Sequence, residues 1–321
     1  MSTRLMKGGR LIDRAKAVGF SFNGKAMRGF AGDTLAAALL ANDQMLVGRS
    51  FKYHRPRGIV ASGAEEPNAL VNMGAGGRFE PNQRATTTEV FDGLQAASQN
   101  HWPSLEYDIG AVNSLVARFL PGGFYYKTFM YPRAAWKHVF EPFIRQSAGL
   151  GKAPKDHDAD RYEHAYAFCD VLVAGGGMAG LEAALTAAHA GQRVMLCEQG
   201  AHWGGRAVVD GDDAARDWVK DTVQALESMD NVAMRLRCMV AGVMTTAMFW
   251  PMKRSPITPP ATGGPSIGCG ASGSGSLWRR RGRLSGPCPL RAMIFRGSCW
   301  PRPCATMWLA MPCRPVTGRW W

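Results

Sequence analysis

Four glycines and one acid carry the clearest chemistry in this chain. In Asp170-Val171-Leu172-Val173-Ala174-Gly175-Gly176-Gly177-Met178-Ala179-Gly180 an apolar strand runs into a glycine turn on which a helix opens. Glu198 closes the next apolar run, 21 residues after Gly177. Residues of these types at this spacing suit a dinucleotide pyrophosphate. Gly175 permits the tight turn, Gly177 lets backbone approach the phosphates, and Gly180 lets the helix pack on the strand; Gly176 completes the loop. The helix start offers N–H groups and a partial positive charge to an anion. A carboxylate at Glu198 suits a ribose 2′-hydroxyl and repels a 2′-phosphate, which favours NAD over NADP. Trp203-Gly204-Gly205-Arg206 forms a second glycine turn, where Gly205 and Arg206 are further candidate cofactor contacts; a plain loop explains that turn equally well. No residue sits in a recognisable catalytic motif, so no catalytic residue and no metal ligand is assigned.

The elements that must position these groups follow from periodicity. Leu181–Ala190 reads as the helix, ended by Gly191, and Arg193–Glu198 as the second strand. Ala214–Glu227 is an amphipathic helix with Trp218, Val219, Val223 and Leu226 on one side, and Val232–Val243 reads as a third strand. Residues 166–243 are thus predicted to be the first half of a Rossmann-type FAD/NAD(P)-binding domain, left incomplete. Upstream, after an arm at 1–18, residues 19–100 read as a β-grasp domain. Phe20–Phe22 and Ala26–Phe30 flank an Asn23-Gly24 hairpin turn, Asp33 caps a helix over Thr34–Ala41, and Leu70–Met73 and Thr86–Val90 supply strands. Between them Gly48–Gly58 is a basic loop whose Arg49, Lys52, Arg55 and Arg57 suit an anion or subunit contact, or simply solvent. Residues 101–165 form an aromatic-rich helical segment and linker, with helical spacing over Ala134–Gln146. The fold class expected is therefore mixed α/β and α+β.

The formal charge of +13 is unevenly placed. Residues 244–321 contain no Asp, Glu, Asn, Gln, His or Tyr, yet hold 11 of the 38 basic residues, 11 of the 19 Pro, 5 of the 8 Cys and 6 of the 10 Trp. At the acidic density of the preceding residues this stretch would carry about eight carboxylates. A reading-frame shift near the codon for Val243 accounts for the composition. Read one nucleotide upstream, Met244–Pro259 permits YDHGYVLAYEKVTDHT, which restores acids, His and Tyr. The tail is accordingly expected to be out of frame and disordered. The competing reading is a genuine basic tail that binds nucleic acid.

Cys169, Cys197 and Cys238 show no CxxC spacing, so neither a disulfide framework nor a zinc site is indicated. No apolar run reaches the length of a membrane span and no signal peptide opens the chain, which leads to the expectation of a cytoplasmic protein without membrane or nucleic-acid partners.

SFKYHRPRG, AEEPNAL (Ala64–Leu70), GFYYKTFMYP (Gly123–Pro132) and DVLVAGGGMAGLEAA together resemble the α subunit of heterotetrameric sarcosine oxidase. The resemblance runs from about Gly19 to Val243, and the permitted out-of-frame string ATGAIERP resembles this family's next motif. It implies oxidative demethylation of sarcosine to glycine, peroxide formation from oxygen, and transfer of a one-carbon unit to tetrahydrofolate. It also implies β, γ and δ partner subunits, NAD on this subunit with Gly175, Gly177, Gly180 and Glu198 at its site, and FAD and FMN in the full complex. Related amine and opine oxidase subunits carry iron–sulfur cysteines in the β-grasp loop. Ser62–Pro67 occupies that region without cysteine, so no iron–sulfur cluster is expected. A non-catalytic nucleotide-binding or assembly fragment, or a subunit of a related amine or opine oxidase, is the alternative.

Overall fold

The computed structural model describes residues 3–115, 117–119, 122–123, 131–148, 151, 153–158, 160, 167–243, 249–253 and 291–294. The chain divides into two compact units, Met1–Asp160 and Arg161–Trp321.

In the first unit, β1 (Asp13–Phe22) and β2 (Lys25–Ala31) form an antiparallel hairpin. Asn23 and Gly24 both take positive φ at its turn, the geometry that matches strand twist. Helix α1 (Leu35–Ala41) follows. Its cap is Thr34, whose side chain accepts from the Ala37 amide, and not Asp33 as the sequence suggested. Asp33 is buried instead, accepting the Phe30 amide at 2.8 Å and pairing with Arg4 at 2.6 Å. The short ribbon β3 (Gly48–Arg49) and β4 (Pro56–Arg57) precedes β5 (Leu70–Met73), β6 (Glu80–Arg84) and β7 (Leu94–Ala97).

The sheet order is β2-β1-β7-β5-β6, with β1 and β7 parallel at its centre. Alternate residues Val18, Phe20 and Phe22 pack with Leu35, Leu39 and Leu94 in one core. Each such side chain contributes roughly 1.5–3 kcal/mol on burial. Thr86–Val90 is not a strand, since only Glu89 forms an isolated bridge, with Thr34. The Thr87 and Thr88 hydroxyls donate to the Arg84 carbonyl there, closing turns that compete with a ladder. Helical structure covers Arg133–Ala135, a π-helical stretch at Trp136–Phe140, and α2 (Glu141–Ala148). Most of the Gly123–Pro132 block lies outside the described residues.

In the second unit, β8 (Val171–Ala174), α3 (Met178–His189) and β9 (Val194–Cys197) make a parallel βαβ unit. Gly191, at φ +75°, ends the turn after α3. Then come α4 (Ala207–Asp210), α5 (Asp213–Glu227) and β10 (Val232–Arg235). Val171, Val173, Val194 and Leu196 meet Leu181, Ala184, Val219 and Leu226 on one sheet face. Leu172, Cys197 and Cys238 pack on the other, which is why these strands read as continuous apolar runs.

The third strand expected over Val232–Val243 is instead two. Arg237 takes φ +53°, and β11 (Cys238–Val243) leaves the sheet to pair antiparallel with β12 (Phe249–Lys253). Strand β13 (Arg291–Ile294) lies parallel to β8, giving the order β10-β9-β8-β13. These two strands are the described part of 244–321, and the expectation for the remainder lies outside the described residues. Among the described residues no helix is long and apolar enough to cross a membrane.

Candidate dinucleotide site

The parallel register puts the end of β8 beside the end of β9, with Ala174 opposite Cys197. Gly175 and Glu198 therefore leave the sheet at the same edge. Gly175 takes φ +106°, which only glycine adopts readily, and its amide donates to the Cys197 carbonyl at 2.8 Å. Gly180 is required for a different reason. A Cβ there would collide with the Gly175 carbonyl oxygen, so the missing side chain sets how closely α3 approaches the turn. At Gly176 a Cβ would collide with the Trp203 ring.

Gly177 obeys neither constraint. It has φ −71°, and a Cβ built on it meets nothing within 4 Å. It is the N-cap of α3 and provides no side-chain cap, whereas Thr34 and Asp212 cap their helices with side-chain oxygens. The first turn of α3 therefore starts without a side-chain cap on its amides, which suits an anion site.

The second glycine turn packs against the first. The Gly204 amide donates to the Gly176 carbonyl at 2.7 Å, and Gly177 and Gly204 form a parallel bridge. Gly205, at φ +53°, would bring a Cβ within 3.3 Å of the Gly177 Cα. Arg206 is exposed, and its guanidinium pairs with Asp210 one turn along α4. Trp203, singled out by sequence only as part of a glycine turn, packs in the core beneath the loop.

Glu198 is half-buried and ties the first glycine turn to the bend after β9. One carboxylate oxygen accepts the Gly176 amide and the other the Gly200 amide, each at 2.7 Å. Its backbone carbonyl accepts the Cys238 amide at 2.8 Å. A carboxylate oxygen has two acceptor directions, so each retains capacity for a hydroxyl. The structure thus brings Gly175, Gly176, Gly177, Gly180, Glu198 and Gly205 together, while Arg206 points its charge at Asp210.

Residues 170–237 match the FAD dependent oxidoreductase family, and residues 15–101 match the 2Fe-2S iron-sulfur cluster binding domain. The two units are those of an oxidoreductase with mixed α/β architecture. Over 254 residues, 78% of its length, the chain is 55% identical to sarcosine oxidase subunit alpha of Rhizobium meliloti (strain 1021), covering 25% of that protein. It is 32% identical over 72% of its length to sarcosine oxidase subunit alpha of Corynebacterium sp. (strain P-1), covering 20% of that protein. The chain is similar to sarcosine oxidase subunit alpha of both organisms, and spans a quarter or less of the length of these curated relatives. Among solved structures, L-proline dehydrogenase from P. horikoshii aligns over 75% of this chain and 37% of its own, at 20% identity and a TM-score of 0.42.

One cofactor expectation is corrected. The absence of cluster cysteines suggested that iron–sulfur chemistry had no place here, but the first unit matches a 2Fe-2S cluster binding domain. Iron–sulfur clusters are held by cysteine thiolates, and residues 15–101 contain no cysteine. In the loop over 60–69 the side chain at the centre is Glu66, fully buried, which accepts the amides of Val60, Ala61, Asn68 and Ala69. The residues present do not match the donor set of the family's group, and no functional step runs through it.

Proposed function

We propose that the Gly175–Gly180 turn and helix α3 bind the pyrophosphate of an adenine dinucleotide, within part of the α subunit of a sarcosine-oxidising enzyme. The observation that carries this is Gly177. Neither its φ nor its surroundings demand glycine, yet glycine stands where a side chain would block the approach to the uncapped α3 amides. The parallel order β10-β9-β8-β13 supports a Rossmann-type unit, whose ligands sit outside the carboxyl ends of the strands.

When bound, a flavin or nicotinamide dinucleotide accepts or delivers a hydride. This chain's residues bind and orient it. The α3 amides hold phosphate oxygens, Glu198 keeps the turn closed and accepts a ribose hydroxyl, and Gly205 keeps the second turn low beside Gly177. NAD is the dinucleotide read from Glu198, and FAD is the one named by the matching family. Oxidation of sarcosine, one-carbon transfer to tetrahydrofolate, and assembly with β, γ and δ subunits are the roles proposed for the complete assembly, by kinship with subunit alpha relatives.

Titration of the full chain with FAD, NAD and NADP tests the reading. Saturable binding of FAD or NAD, with NADP at least about tenfold weaker than NAD, is expected. Equal binding of NAD and NADP would remove Glu198 from the ribose, and no binding of any of the three would remove the site.

A further inference from the structure

The first unit carries an apolar stripe that the dinucleotide reading does not use. Trp102, Tyr107, Ile109, Val112 and Leu115, five large side chains in one short segment, are each between 57% and 82% exposed. Single exposed apolar residues are ordinary on a protein surface, but a contiguous set marks a contact site.

Contiguity follows from the backbone. Pro103 and Asp108 form an antiparallel bridge, and the Ile109 amide donates to the Trp102 carbonyl at 2.8 Å. Trp102 therefore lies opposite Ile109, and Tyr107, two residues before Ile109, shares their face. Asp108 points the other way. Its side chain is fully buried, meeting His54 Nδ1 at 2.7 Å and accepting the amides of Trp102 and Gly110 at 3.0 Å each. A 3₁₀-helix over Ile109–Ser114 then carries the face onward. With three residues per turn, Ile109, Val112 and Leu115 stand in one row. The segment is anchored from beneath by buried Leu105 and by Arg49, which donates to the Leu105 and Glu106 carbonyls at 2.8 Å each.

Charge, size and spacing select the occupant. Residues 102–115 contain no Lys or Arg, and of their two acids Asp108 is engaged inside. A stripe without cations has nothing to draw an anionic lipid surface. A row without charges also sets up no repulsion against a second copy of itself. The five side chains expose roughly 500 Å², more than half of the ~800 Å² that each partner contributes to a standard interface. The row is symmetric about Val112, with Ile109 three residues before it and Leu115 three after. A two-fold axis at Val112 sets Ile109 of each copy against Leu115 of the other, as a self-complementary contact requires.

We propose that two copies of this chain pair through this stripe as a two-fold dimer, with Val112 at the axis and Trp102 and Tyr107 as flanking anchors. The contacts are non-covalent.

Sedimentation equilibrium of the full chain at physiological salt is the test. Mass should rise from one chain to a plateau at two, with a dissociation constant at or below about 10 μM. Val112→Asp brings two carboxylates together at the axis and should weaken pairing at least about a hundredfold. Ile109→Asp and Leu115→Lys should each weaken it at least about tenfold, and the double variant, which sets opposite charges against each other, should regain most of that loss. Val60→Asp, outside the stripe, should change nothing. A mass of one chain up to about 100 μM overturns the proposal, as does a mass that climbs past two without a plateau, or pairing undiminished in Val112→Asp. Binding of the parent to phosphatidylcholine–phosphatidylglycerol vesicles that Val112→Asp abolishes would also overturn it, assigning the stripe to a membrane surface. Should Val112→Asp fail to fold, Leu115→Lys at its more exposed position decides: undiminished pairing there overturns the proposal.

Discussion

The Glu198 carboxylate accepts the amide hydrogen of Gly176 at 2.7 Å, across 22 residues of chain. The acid assigned to the cofactor by sequence is also a brace of the glycine turn. Its second oxygen accepts the Gly200 amide, so one side chain links the glycine turn to the bend that follows β9. Glu198→Ala removes a charged acceptor from both amides and should cost about 1.5–3 kcal/mol of stability, read from urea unfolding. A loss below about 0.5 kcal/mol would show that solvent replaces the carboxylate without penalty.

Gly180→Ala should destabilise the second unit by about 1–3 kcal/mol, because its Cβ meets the Gly175 carbonyl rather than a yielding side chain. Gly177→Ala should cost no more than about 1 kcal/mol, the N-cap preference for glycine over alanine, since its Cβ meets nothing. Thermal unfolding of the two variants side by side gives the ordering; equal losses would refute the division of roles.

Glu66 anchors the first unit. Burial pushes its carboxyl pKa up, but the amides of Ala61, Asn68, Val60 and Ala69 outweigh that and hold it below 4.5. The folded chain therefore resists protonation where the unfolded chain does not. This contribution is complete above pH 4.5 and disappears as pH falls through the lower folded value. Glu66→Ala leaves four amides without their acceptor and should cost about 3 kcal/mol or more at neutral pH. The parent's stability should drop on acidification below pH 4.5 more steeply than the variant's. Parallel slopes in denaturant melts across pH 3–6 would contradict the assignment.

Cys197 and Cys238 lie with their sulfurs 3.6 Å apart in the buried face of the sheet. The hydrogen bond with Cys238 and burial both push the Cys197 thiol up, and burial raises Cys169 to about 11. Thiolate is the reactive form, so Cys169 and Cys197 should resist alkylation at pH 7.5 in the folded chain, as should Cys238 because it is buried, and all three should react on denaturation. Peptide mapping after brief iodoacetamide treatment checks this; native-state labelling of Cys197 would contradict it.

Much of this was legible in the sequence because it was local. The Asn23-Gly24 turn, the β8–α3–β9 unit and the terminator Gly191 each follow from a few neighbouring residues. What was missed depended on distant partners. Asp33 looks like a cap until Arg4 and the Phe30 amide claim it. Arg237 breaks an apolar run because its amide is drawn to the Gly200 carbonyl, 37 residues back. The Glu66 loop falls within the AEEPNAL block, but nothing in that block marked Glu66 as a buried anchor. Its one signal was an acid inside a short polar segment bounded by apolar residues, and four amides from both sides of the loop converge on it. Likewise the small-residue pattern located the glycine turn, but could not show that Gly175, Gly176 and Gly180 are demanded by backbone or packing while Gly177 is not.

That last distinction is the most direct test. Calorimetric titration of the full chain and its Gly177→Val variant with whichever dinucleotide binds compares two proteins that should both be folded, the variant less stable by about 1 kcal/mol at the α3 N-cap. The account predicts saturable binding by the parent and a loss of at least about tenfold in the variant, with a cooperative unfolding transition retained. Undiminished affinity in Gly177→Val would contradict it.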